Sequence, residues 1–298
     1  MATKLKNFYA YQIDLHYLSG NPQVDTIKWD EAVVSDILSH INGLSDQAKT
    51  QRFHDSWLIY LDHFSEELDY LFGRFAYAEY GTSGELIHAD NLTRRPNPKA
   101  LREGETLFTY FLIRKTDGLM LLQSHLKLNR PRVEDYLENF GAPIITRNQL
   151  TYLQICTLLD NSFFENIQAL NTVSRIMIEV TNSQPAADEN EAVRVLQNEA
   201  TIAEATTVKL DFSARYRRTG LAGAVSFVRR YKDKPGVTKI VVKGKLAGAE
   251  KVIKMEESQE KYKRRVEVDG TGQPTLRSAE MVLWEIARLR APLRREEG

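Results

Sequence analysis

One cysteine, Cys156, occurs in 298 residues. That scarcity excludes an intrachain disulfide and a metal site built from several thiolates. No uninterrupted apolar run approaches the ~20 residues that a membrane-spanning helix needs. The opening residues, MATKLKNFYAYQIDLHYL, lack the apolar stretch and small-residue cleavage site of a secretory leader, so a cytoplasmic location is the expectation. Neither G-x-S-x-G nor G-x-x-x-x-G-K-S/T is present, which removes two common nucleophile and phosphate loops. All six histidines precede residue 126, and neither an internal repeat nor a low-complexity segment is found.

Net charge is also absent, with 40 basic and 40 acidic residues, but this is a cancellation. Residues 209–298 hold 22 Lys or Arg against 12 Asp or Glu, and residues 1–208 hold 18 against 28. An acidic front and a basic back point to an anionic partner at the back, or to attraction between the halves within or between subunits.

Patterning predicts an α+β chain: an acidic, strand-rich domain over residues 1–142, then an α+β domain with a basic surface over residues 143–298. Residues 7–15 alternate and are rich in aromatics, as a strand does. Residues 29–41 carry an apolar stripe at helical spacing, stopped by Asn42-Gly43. Strands are expected over 56–61 and 74–80, with a short helix over 62–71 between them. Asp117-Gly118 marks a hairpin over 106–122. A helix with proline near its start follows and is expected to close at Gly141. Residues 148–160 fit strand or helix. Strands follow over 172–180, 206–212, 237–244, 250–255 and 263–269. A polar loop is expected over 182–190, and helices over 191–205, 219–229 and 276–289.

Few residues form a constellation suited to catalysis. His63, Glu66 and Glu67 would share a face if 62–71 were helical, but the spacing suits a solvated face better than a metal site. Cys156, in LQICTLL, lacks a neighbouring base and reads as a small core residue. Glu267 and Asp269 in VEVDG stand two apart and would support a divergent metal-dependent nuclease only with a further acid from elsewhere. No catalytic residue, metal ligand or cofactor is assigned.

Basic residues are denser. Arg215, Arg217 and Arg218 cluster before the 219–229 helix, where free N–H groups and the dipole also favour an anion. Arg229, Arg230, Lys232 and Lys234 follow at its other end, where the dipole alone accounts for them. Lys239, Lys243 and Lys245 alternate with Ile240 and Val242, so they share one face of a strand, as a solvated edge or as a phosphate-tracking row. Lys263, Arg264 and Arg265 add a further group beside Lys261, and Arg288, Arg290, Arg294 and Arg295 another. Such spread-out charge suits the phosphates of double-stranded DNA with little sequence readout. It suits a membrane surface less well, because it is not gathered on one amphipathic helix.

FYAYQIDL, the TLFTYFLIRKTDGLMLLQS hairpin and the TKIVVKGKLAG…VIKMEES…RRVEVDGTGQP…AEMVLWEIARL ending together form a layout that resembles the RexA and KwaB type of phage-exclusion proteins. The resemblance implies a non-enzymatic, cytoplasmic DNA-binding protein of a phage-defence system. It implies a homodimer or higher homo-oligomer, working with a membrane protein encoded nearby. The competing expectations are the divergent nuclease and a structural protein that self-associates through its opposite charges.

Overall fold

Alternation in the first residues builds the longest strand, β1 (Thr3–Tyr17), longer at both ends than the expected 7–15. The computed structural model describes residues 2–18, 26–53, 56–125, 127–160, 162–181, 205, 207–214, 220–232 and 237–293. It is a strand-rich α+β structure, as patterning predicts. Two compact units divide it. One takes the chain up to Phe8, Asp30–Asn148, and the closing part from Tyr262; the other takes Tyr9–Trp29 and Gln149–Lys261.

In the first unit the strand order is β1, β9 (Leu119–Gln123), β8 (Thr106–Arg114), β5 (Tyr70–Glu79), β4 (Trp57–Glu66) and β3 (Gln51–Phe53). Strand β15 (Lys261–Glu267) also lies beside β1. The β8–β9 hairpin turns at Asp117-Gly118 as expected, with Gly118 at φ 76°. Residues 62–71 are not a helix: β4 and β5 pair antiparallel through them, and Glu67 N donates to the Tyr70 carbonyl at 2.9 Å to close the turn. The polar run between them satisfies its backbone in a ladder, and the alternating apolar residues on both sides decide the outcome.

Two helices pack on one face. Helix α1 (Glu31–Gly43) is capped by Asp30 and buries Val33, Val34, Ile37, Leu38 and Ile41. Helix α2 (Arg130–Arg147) is capped by Asn129, whose side chain accepts from Arg132 N. It passes the expected stop at Gly141 and continues through Pro143. Gly141 serves helix packing instead of a C-cap: a Cβ there would stand 2.7 Å from Ile37 Cγ2. The carbonyl left without its helical donor by Pro143 belongs to Asn139, an exposed residue. Tyr136 of α2 reaches Phe75 on this face, whereas Tyr70 and Tyr110 bond Glu280 and the Pro274 carbonyl around α5 (Leu276–Leu289). A small exposed ribbon, β6 (Glu85–Ile87) with β7 (Arg94–Pro96), leaves this unit between β5 and β8.

In the second unit β10 (Leu150–Thr157) pairs antiparallel with the remainder of β1, which resolves the 148–160 ambiguity as strand. Strand β2 (Thr26–Lys28) also pairs with β1. A separate sheet runs β12 (Thr207–Ser213), β11 (Thr172–Thr181), β13 (Val237–Leu246), β14 (Ala249–Lys254). One of its faces is apolar: Ile176, Ile178, Ile240, Val242 and Ile253 pack with Phe163 and Ile167 of α3 (Ser162–Gln168) and Val228 of α4 (Ala224–Lys232). The expected helix over 191–205 and loop over 182–190 lie outside the described residues, apart from Ala205. Helix α4 starts at Ala224, later than the expected 219. Before it, Gly220 has φ 69°, and a Cβ there would meet the Val173 carbonyl oxygen at 2.4 Å. Gly220 therefore serves a close backbone approach.

Candidate nucleic-acid interface

The expected basic residues separate into three environments. Arg215, Arg217, Arg218 and Lys234 lie outside the described residues, as do Arg294 and Arg295 of the C-terminal cluster. Arg229, Arg230 and Lys232 occupy the last turn of α4, where the helix dipole favours cations. The Arg229 guanidinium also rests 4.9 Å from the centre of the Phe164 ring, a cation–π contact that ties it to α3.

Lys239, Lys243 and Lys245 do share one face of β13, opposite Ile240 and Val242. Strand register then adds what spacing alone omits. Lys239 stands opposite Glu179 and lies 3.9 Å from Glu256. Lys243 stands opposite Arg175, whose guanidinium is bound by both carboxylate oxygens of Asp211, with 2.9 Å from Nε to each. Lys209 lies 3.5 Å from Glu179, and Lys254 lies 2.7 Å from Glu257. Lys245 stands opposite Glu250. Carboxylates thus stand beside Lys239 and opposite Lys245, whereas Lys243 has Arg175 and Val252 as its cross-strand neighbours, and neither Lys243 nor Lys245 forms an ion pair among the described residues.

The third environment differs. Lys263, Arg264 and Arg265 belong to β15, beside the first residues of β1; Val268 N donates to the Ala2 carbonyl at 2.9 Å. With Ala10 N also donating to the Glu260 carbonyl, that register sets Lys4 opposite Val266 and Lys6 opposite Arg264, on one face, and leaves Lys263 and Arg265 on the other. Arg265 Nη1 lies 3.5 Å from Thr3 Oγ1, and Lys4 Nζ donates to the Gly272 carbonyl at 3.0 Å. Burial, then the nearby Lys4 ammonium, hold Lys6 below the ordinary lysine range. Among the described residues none of Lys4, Lys6, Lys263, Arg264 and Arg265 forms an ion pair. Lys4 and Lys6 escape a sequence reading because they sit in the acidic front and join the strip only through long-range strand pairing. The alternation of residues 3–17 as a strand was the one signal available.

The acids considered for a nuclease do not converge. Glu267 is exposed at the end of β15. Asp269 Oδ1 accepts from Thr271 Oγ1 at 2.6 Å, Thr271 N at 2.9 Å and Gln273 N at 3.1 Å, and the hydroxyl bond above all holds its carboxyl below the usual range. It acts as the cap of the GTGQ turn. Among the described residues no group of three or more His, Cys, Asp or Glu is placed to hold a metal ion. His63 and Glu66 lie on β4 and do not share a helix face; Glu66 instead accepts from Lys115 Nζ at 2.7 Å and Ser35 Oγ at 2.5 Å, and both bonds lower its carboxyl.

Cys156 is buried, as expected, but its surroundings are polar. Its thiol lies 3.5 Å from Asp14 Oδ2, while Asp14 Oδ1 accepts from Gln12 Nε2 at 2.8 Å. His16 and Gln154 bond each other at 3.0 Å next to this pair. Period-2 alternation places these side chains on the face of β1 and β10 opposite Ile13, Leu15, Leu153 and Ile155.

No protein-family model matches the chain, and no curated protein is similar to it in sequence. Among the described residues no helix is long and apolar enough to cross a membrane.

Proposed function

We propose that the protein binds double-stranded DNA without sequence preference, through the basic strip on β1 and β15, as a component of a phage-defence or phage-exclusion system. The observation that carries the DNA reading is the density of cations on two paired strands, Lys4, Lys6 and Arg264 on one face and Lys263 and Arg265 on the other, with no carboxylate partner among the described residues. Like charges held together in this way repel one another until an anion lies across them. Successive residues on one side of a strand repeat every ~6.6 Å, a spacing that lets Lys263 and Arg265 contact different phosphates of one backbone. Nothing in the strip is arranged to read base edges, so affinity should come from the phosphates. The assignment to phage defence, and the membrane protein encoded nearby, rest on the resemblance in layout alone.

Binding of a labelled duplex by fluorescence anisotropy tests the reading, with a Lys263→Ala/Arg264→Ala/Arg265→Ala variant measured in parallel. Binding at low salt that weakens at least tenfold in the variant, with the duplex intact after incubation with magnesium, supports it. Equal affinity of the two proteins removes the strip from the interface, and degradation with magnesium restores the nuclease.

A further inference from the structure

Strand β14 is an outer strand of the second unit's sheet: it pairs with β13, and no described strand lies along its other side. The direction of its backbone groups follows from the turn before it. Ala247 and Gly248 form a two-residue connection with φ of 49° and 83°, which fits a type I′ hairpin. Leu246 and Ala249 therefore exchange backbone hydrogen bonds, and alternate residues repeat the pattern. Asn171 N donates to the Lys245 carbonyl at 2.8 Å, which independently turns the odd residues of β13 toward β11 and the even ones toward β14. It follows that Ala249, Lys251 and Ile253 direct their backbone groups to β13, and that Glu250, Val252 and Lys254 direct theirs outward.

The same three residues carry their side chains on the charged face of the sheet, opposite Lys245, Lys243 and Val241 respectively. Val252 is 40% exposed there, an apolar, β-branched side chain between a glutamate and a lysine. Placed antiparallel to a second copy of itself with the dyad at Val252, the strand sets each Glu250 opposite Lys254 of the other copy and valine opposite valine. Outward backbone groups then meet outward backbone groups throughout. The charge row continues without a break, from Lys245 through Glu250 to the Lys254 of the second copy. A dyad at Lys251 would oppose two lysines, and one at Ile253 would leave Glu250 without its complement.

We infer that β14 is a self-complementary edge, through which two copies of this chain join their four-stranded sheets in an isologous dimer. An edge strand rich in lysine more often discourages pairing; here Lys254 already lies 2.7 Å from Glu257, and the self-register sets Glu250 of the second copy beside it as well. The interface does not depend on the DNA reading, because it lies on a different sheet from the basic strip.

Replacing Val252 by cysteine tests it. Directly opposed, hydrogen-bonded residues of antiparallel strands have Cα atoms ~5.5 Å apart, which suits a disulfide. The single native cysteine, Cys156, is 4% exposed and leaves the background silent. Mild oxidation should convert Val252→Cys to a covalent dimer on a non-reducing gel, while Lys245→Cys on the same face stays monomeric. In sedimentation runs Glu250→Lys should weaken the dimer at least tenfold, and Glu250→Lys/Lys254→Glu should restore it. Circular dichroism melts would show whether each variant remains folded. A wild type that sediments as a monomer at all concentrations would overturn the proposal. So would a Val252→Cys protein that fails to cross-link, or a Glu250→Lys protein that stays as dimeric as wild type.

Discussion

Arg114 and Asp117, three residues apart across the β8–β9 turn, form a buried ion pair 2.6 Å long whose remaining hydrogen bonds hold the C-terminal end of α5. The guanidinium donates to the carbonyls of Ala287, Arg290 and Ala291. The carboxylate accepts from Leu119 N at 3.2 Å and from Leu293 N at 2.8 Å. A turn specified by a local Asp-Gly pair thus fixes where the last helix ends.

Truncating one partner of this pair leaves the other buried and uncompensated. Asp117→Ala should cost about 3–5 kcal/mol of stability in urea unfolding. Burial pushes the Asp117 carboxyl up, but the Arg114 bonds and the two backbone donors outweigh it and hold the carboxyl below its ordinary value. The folded state therefore binds this proton less readily than the unfolded chain does. The stabilisation is complete above the unfolded carboxylate range, near pH 4, and fades as pH falls through the lower, folded value. Unfolding curves taken between pH 3 and 7 should show an acid limb in wild type that is smaller in Asp117→Asn. Parallel limbs would place the acid sensitivity elsewhere.

Tyr136 makes a second long-range connection. Its hydroxyl donates to the Lys49 carbonyl at 2.7 Å and accepts from Leu61 N at 2.9 Å, and burial raises its pKa. Tyr136→Phe keeps the ring against Phe75 but strands both backbone groups in the core. A loss of about 1–3 kcal/mol is expected by chemical denaturation. A neutral effect would mean that water replaces the hydroxyl.

Gly220 tests the backbone of the second unit. Gly220→Ala must accept both φ 69° and the Val173 carbonyl oxygen. The left-handed conformation alone costs roughly 1–2 kcal/mol for a residue with a Cβ, and the close contact adds to it. The thermal midpoint should fall by several degrees. An unchanged midpoint would show that the loop before α4 can shift at no cost.

Much of the fold is legible because its signals are local. Asp117-Gly118 places a hairpin, and the apolar stripe of residues 276–289 gives α5 its full length. Alternation over residues 172–180 and 237–244 gives two strands of one sheet. Two failures share a different cause. Residues 62–71 carry a polar, helix-compatible run, yet β4 and β5 pair through it because their apolar neighbours demand a common face. Gly141 has the composition of a helix stop, but its small size serves the approach of α1.

The candidate site was legible only by halves. Lys263, Arg264 and Arg265 stand out in the sequence, whereas Lys4 and Lys6 come to the face of Arg264 through a pairing more than 250 positions long. For Lys239, Lys243 and Lys245 spacing gives the common face correctly, and only the strand register adds Glu179 and Glu256 beside Lys239 and Glu250 opposite Lys245, with no carboxylate opposite Lys243.

That contrast gives the most direct test of the account. The salt dependence of duplex binding should be measured for wild type, for Lys4→Ala/Lys6→Ala/Arg264→Ala, and for Lys239→Ala/Lys243→Ala/Lys245→Ala. Each lost phosphate contact lowers the slope of log affinity against log salt by about 0.9. The account expects the strip variant to lose roughly two to three such contacts and the sheet-face variant to keep a slope close to wild type. A sheet-face variant that loses the slope while the strip variant retains it would contradict the account.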